Sequence, residues 1–117
     1  METTTLRGTG TTVSRLSLGT MTFGAQADEA VSLRMVDTAL DGGINFFDTA
    51  DAYGKGRSEE ILGKALRGRR DDVVLASKVF NAMGPDPKEG GLHRWHVIRG
   101  VEASLRRLQT DCLDICY

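Results

Sequence analysis

The sequence is poor in the features that most quickly betray a function. It has only two cysteines, two prolines and one tryptophan, and 15 basic against 16 acidic side chains leave a formal net charge of -1 over 117 residues. Near-neutrality removes the field that draws nucleic acid or anionic lipid to a basic surface. No apolar run approaches the roughly 20 residues of a membrane span. The stretch Met1-Glu2-Thr3-Thr4-Thr5 lacks the basic and apolar regions of a secretory leader. Cys112 and Cys116 stand four apart in an apolar run that reads as a strand. Four strand residues span about 13 Å, beyond the roughly 7 Å between Cα atoms that a disulfide tolerates. Both read as buried, inert thiols, and no second Cys/His pair has the spacing of a metal site. The expectation is a cytoplasmic, reduced protein with no metal, nucleic-acid or membrane partner. With 40% hydrophobic and 26% charged residues, it has the composition of one ordinary globular domain.

The pattern of the chain alternates. Leu6 to Leu16 carries β-prone stretches around Gly8-Thr9-Gly10-Thr11 and predicts a hairpin. A short strand follows at Leu16–Met21. Asp28 is a good cap for a helix to about Leu40, closed by Asp41-Gly42-Gly43. Ile44–Phe47 reads as a strand ending at Asp48. Ser58 then caps a short helix, with Glu59 and Glu60 complementing its dipole and Ile61, Leu62, Ala65 and Leu66 facing inward. The mixed-charge turn Arg67–Asp72 leads to a strand at Val73–Ser77, ending at Lys78. A long loop over Asn81–Gly91 holds both prolines. A third helix from about Arg94 to Leu108 carries Ile98, Val101, Leu105 and Leu108 on one face, and a last strand is expected over Cys112–Tyr117.

Strands alternating with helices indicate βαβ units and a parallel sheet. An open doubly wound sheet usually carries a Gly-rich dinucleotide loop after its first strand. Gly19-Thr20-Met21-Thr22-Phe23-Gly24 does not fit that fingerprint, and neither Gly54-Lys55-Gly56 nor Gly63-Lys64-Ala65 makes a phosphate loop. A (β/α)8 TIM barrel is favoured. It requires about 250 residues and eight strands, so residues 1–117 read as the incomplete N-terminal part of a barrel domain: a hairpin, about three βα units and the start of strand four. A half-barrel leaves sheet edges exposed, which predicts self-association.

Reactive groups of βα barrels gather at the C-terminal ends of strands. Asp48, Tyr53 and Lys78 occupy such places. An unperturbed tyrosine, with a pKa near 10, is a poor acid at neutral pH. A nearby ammonium favours its phenolate, and that ammonium needs a carboxylate to hold it. The set suits protonation of a carbonyl oxygen as hydride reaches its carbon. Asp51 beside Asp48 is too little for a metal pair. His93-Arg94-Trp95-His96 reads as a solvated helix start with Trp95 partly buried. Phe23, Phe80 and the loop to Gly91 are placed to line a substrate entrance.

Gly19–Gly24, Gly43–Tyr53, Ser58–Gly63, Ala76–Val79, Val101–Leu108 and Asp111–Ile115 together resemble the aldo-keto reductase superfamily, in order and across essentially the whole chain. The resemblance is greatest to longer-loop bacterial members similar to potassium-channel β subunits. It implies a (β/α)8 barrel that uses NADPH to reduce aldehydes or ketones to alcohols. It also implies that Asp48, Tyr53 and Lys78 are three of the four catalytic residues. The fourth, a histidine, normally follows strand four and is not in this sequence; His93 and His96 are not its equivalents. Cofactor contacts are implied at Gly19, Thr20, Met21 and Asp48. Where the family often has a small polar cap and a glycine, this chain has His93 and Gln109. Two alternatives stand beside the reductase: a non-catalytic NADPH-sensing or partner-binding subunit, and an inactive fragment.

Overall fold

Asp28 begins the first helix as its chemistry requires. Its carboxylate accepts from the N–H of Val31 at 2.8 Å, and helix α1 runs over Glu29–Asp41 before Gly42 and a left-handed Gly43 close it. The computed structural model describes residues 1–117, with β1 Thr3–Thr5, β2 Thr12–Ser14, β3 Leu18–Gly19, β4 Phe46–Asp48, α2 Arg57–Ala65, β5 Val74–Ser77, α3 Arg94–Leu108 and β6 Ile115–Cys116 completing the elements.

Strands β3, β4, β5 and β6 form one parallel sheet in chain order. Sequential order without a reversal is the winding of a barrel wall, whereas a doubly wound sheet reverses its order. Helix α2 packs between α1 and α3. Val36 and Ala39 of α1, Ile61, Leu62 and Ala65 of α2, Leu108 of α3, and Phe47 and Leu75 of the sheet share one buried cluster. Each fully buried Leu, Ile or Phe there contributes about 1.5–3 kcal/mol relative to exposure. Gly63 permits the close approach of α2 and α3, because a Cβ at that position would lie 2.6 Å from the carbonyl oxygen of Leu108.

The hairpin pairs Thr3–Thr5 with Thr12–Ser14, with Gly8 and Gly10 both left-handed in the turn. Its first strand begins before the predicted segment because three exposed threonines carry no apolar alternation. Asn45 ties the hairpin to the start of β4: its Oδ1 accepts from the N–H of Ser14 at 2.7 Å, and its Nδ2 donates to the carbonyl of Thr12 at 3.1 Å. The hairpin therefore sits at the N-terminal end of the sheet, away from Asp48 and Lys78.

Several expectations are corrected. Cys112 and Cys116 are both exposed free thiols, since β6 is confined to Ile115–Cys116 at the edge of the sheet. Asp114 explains the shorter strand. Its Oδ2 takes the N–H of Leu75 at 2.8 Å, doing with a side chain what a longer strand would do with its backbone. The buried face of α3 is His96, Ser104 and Leu108, whereas Ile98 is exposed and Val101 and Leu105 are only partly covered. Small residues decide this rotation: a Cβ on Gly100 would lie 2.6 Å from Val79 Cγ1. His96 is accordingly buried rather than solvated, while His93 and Trp95 are exposed. Phe23 is fully buried in the apolar cluster and lines no entrance; Phe80 is exposed.

Candidate functional site

Strand alternation assembles the site. Asp48 pairs in register with Ala76 on β5 and with Gly19 on β3. Lys78 lies two positions beyond Ala76, so it projects on the same face as Asp48, while Phe47, Leu75 and Ser77 project toward the helices. At the C-terminal edge of the sheet, Lys78 Nζ donates to Asp48 Oδ1 at 2.5 Å, to the carbonyl of Thr49 at 2.8 Å and to Tyr53 Oη at 3.3 Å. The three residues singled out in the sequence therefore meet at one point. The lysine is half-buried, and burial alone would disfavour its charge. The hydrogen bonds to Asp48 and Tyr53 and the charges of those partners outweigh burial, so its pKa stands above the ordinary lysine value.

Tyr53 is aimed by the backbone that follows it. Gly54, Lys55 and Gly56 all have positive φ, at 57°, 54° and 94°, and reverse the chain into α2 within one turn. Two of the three are glycines, and at Gly56 a Cβ would also collide with Arg107 Cδ at 2.7 Å.

Ser58 is not the cap of α2; Gly56 occupies that position and makes no side-chain bond. The Ser58 hydroxyl is buried, 2.8 Å from Thr20 Oγ1 and 3.1 Å from Thr49 Oγ1, and it donates to the carbonyl of Thr20 at 2.7 Å. These hydroxyls join the ends of β3 and β4 to α2. Of the expected cofactor contacts, Gly19 is exposed at the end of β3 and Met21 is exposed beyond it, whereas Thr20 is fully buried with its hydroxyl turned inward.

Glu59 does more than complement a dipole. It is fully buried and accepts from Ser77 Oγ and from Arg107 Nε, each at 2.6 Å, linking β5, α2 and α3 beneath the site. No local pattern signals this partner, because the guanidinium arrives from 48 residues away. Tyr117 was also missed: its ring centre lies 5.9 Å from Lys78 Nζ, so the ammonium stands between two aromatic rings. Its place after β6 was the available signal. No group of His, Cys, Asp and Glu residues is arranged to hold a metal ion, and no helix is long and apolar enough to cross a membrane.

The Aldo/keto reductase family model matches residues 15–117. The uncharacterized oxidoreductase YrpG of Bacillus subtilis is 48% identical, over 98% of this chain and 39% of its own length. A probable voltage-gated potassium channel subunit beta of Arabidopsis thaliana is 42% identical, over the whole of this chain and 37% of its own. Among solved structures, the holo form of aldo-keto reductase AKR11C1 from Bacillus halodurans superposes with a TM-score of 0.87 at 41% identity, covering 99% of this chain and 39% of that one. The four-stranded sheet is thus part of a TIM barrel wall, and the chain spans between 37% and 39% of the length of these relatives.

Proposed function

Because the chain belongs to the aldo/keto reductase family, we propose that it supplies the proton-delivery groups of an NADPH-dependent oxidoreductase that reduces aldehydes or ketones to alcohols, as the N-terminal portion of a longer barrel. The observation that carries this reading is the threefold grip of Asp48, Thr49 and Tyr53 on the Lys78 ammonium.

The residues present suit a nicotinamide cofactor. A phenol backed by an ammonium stands at an open strand end, and a Cβ built on Gly19 would meet nothing within 4 Å. Gly19, Met21 and Asp48 would hold its nicotinamide end. Thr20 would fix their positions, since its N–H and hydroxyl are bonded to the carbonyl of Asp48. When bound, the cofactor supplies hydride to the carbonyl carbon. Tyr53 donates its phenolic proton to the carbonyl oxygen. Lys78, already bonded to that phenol oxygen, stabilises the negative charge left on it. Asp48 and the Thr49 carbonyl keep the ammonium in place, so little reorganisation accompanies proton transfer.

The cytoplasm is the compartment we assign, where NADPH and free thiols coexist. The exposed edges of the sheet would make this chain self-associate when alone. The test is NADPH oxidation by the full-length protein with a reactive aldehyde. The identity to a channel β subunit favours a second reading, a cofactor-sensing subunit of a protein complex. That reading requires tight NADPH binding, negligible turnover and a stable protein partner.

A further inference from the structure

Two buried polar atoms have no hydrogen-bond partner, Asp51 Oδ2 and His96 Nε2. Their residues are 1% and 3% exposed. Both line a single cavity of about 250 Å³, which lies against α3 with Gly100 and Ala103 as small walls and Trp95, Arg99 and Arg106 at its rim. Arg107 also reaches this cavity, but its Nε is bonded to Glu59 and its Nη2 to Ser104. An unpaired carboxylate oxygen away from solvent carries a heavy desolvation penalty, and buried polar groups are otherwise almost always satisfied. A water molecule occupies about 30 Å³ of liquid volume and needs two or more polar partners, so the cavity has both the room and the groups.

We propose that this cavity is an internal water site in which an ordered water bridges Asp51 Oδ2 and His96 Nε2, making the pair positioning residues for Tyr53. Either histidine tautomer is served, because the water donates to the carboxylate and either donates to or accepts from the ring nitrogen. Asp51 lies inside the turn between Asp48 and Tyr53. Its N–H donates to the carbonyl of Lys78 at 3.3 Å, and the N–H of Tyr53 donates to the carbonyl of Ala50 at 3.2 Å. The bridge therefore anchors the turn that carries the phenol to α3, an anchor that neither residue reaches directly.

The inference rests on the reading of Tyr53 as proton donor only for its effect on activity, so the experiment has arms independent of it. A high-resolution crystal structure of the full-length protein is expected to hold a water within about 3.2 Å of both atoms. His96→Leu, which keeps apolar volume and removes the nitrogen, is expected to speed amide hydrogen exchange at Asp51–Tyr53 about tenfold. It should also lower kcat while leaving the KM for NADPH unchanged, and His96→Gln should restore both properties to within about twofold. A dry cavity in the native crystal structure, an occupant other than water, or unchanged exchange in a folded His96→Leu protein would overturn the proposal. A bound water with faster exchange in the variant, in a native protein that reduces no carbonyl, would leave the water site standing and remove the reductase reading alone.

Discussion

Lys78 approaches Tyr53 from the oxygen side: its Nζ is 3.3 Å from Oη and 4.9 Å from the centre of the ring. The contact is therefore first a hydrogen bond to the atom that becomes charged when the proton leaves, and only second a cation over an aromatic face. Lys78→Met removes that stabilisation and leaves Asp48 without its cation. It should lower kcat for carbonyl reduction by the full-length protein, the activity proposed above, by about 10²–10⁴-fold, the usual scale of assisted proton transfer. Steady-state NADPH oxidation measures it.

The same lysine makes a prediction for stability. Its folded pKa is raised above its unfolded value, because Asp48 and Tyr53 more than offset burial. Its contribution is then fully present below the ordinary lysine pKa of about 10.4 and is lost as pH rises through the higher folded value. Unfolding free energy measured from pH 8 upward should fall above about pH 10 more steeply in the native protein than in Lys78→Met.

Asp51 gives the corresponding dependence at the acid end. Burial raises its pKa and the charge of Glu59 adds to this, against the N–H of Ala52 and the charges of Arg107 and His96. A carboxyl with a raised folded pKa binds protons in the native state first, so its penalty is relieved as pH falls through that value. Cys116 on β6 is the remaining titratable group that feels its charge. Asp51→Asn should remove this gain, and the difference between native and variant stability should shrink from pH 7 toward pH 4. Denaturant unfolding at stepped pH reads it.

Beneath the site, the Glu59–Arg107 pair is structural. Glu59 is fully buried and both its carboxylate oxygens are used. Arg107→Ala strands a carboxylate in the interior and should cost about 3–5 kcal/mol in chemical denaturation. Arg107→Lys, a point charge in place of a planar fork, should recover only part of it.

The barrel topology was legible because its signals are local. Asp28 and Gly43 mark the ends of α1, and glycine-rich reversals separate the strands. The site trio was legible because Asp48 ends a strand and Tyr53 and Lys78 follow strands, and strand ends point the same way in a parallel sheet. What escaped were long-range hydroxyl and ion-pair contacts. Ser58 looked like a cap, yet its oxygen serves Thr20 and Thr49. Ile98, Val101 and Leu105 gave the better helical period on α3, but Gly100 against Val79 turned His96 inward instead. A periodicity argument weighs hydrophobicity and cannot see the clearance that a missing side chain provides.

Gln109 marks one place where a local rule is broken. It closes α3 with φ of 56°, a left-handed conformation that favours glycine, and its Oε1 accepts from exposed Arg67 at 2.7 Å. An exposed bond of that kind is worth little, so relief of backbone strain should dominate. Gln109→Gly should stabilise the protein by about 0.5–1 kcal/mol in thermal or denaturant unfolding. A loss of stability would mean that the bond to Arg67 outweighs the strain.

The central claim is that Tyr53 delivers the proton under the hand of Lys78, and substituting one atom tests it most directly. Tyr53→Phe in the full-length protein keeps the ring and removes only the hydroxyl. NADPH oxidation with a reactive aldehyde should fall by at least about 10²-fold, while NADPH binding, followed by fluorescence, stays within about threefold of native. A Tyr53→Phe protein that reduces the aldehyde at close to the native rate would contradict the account.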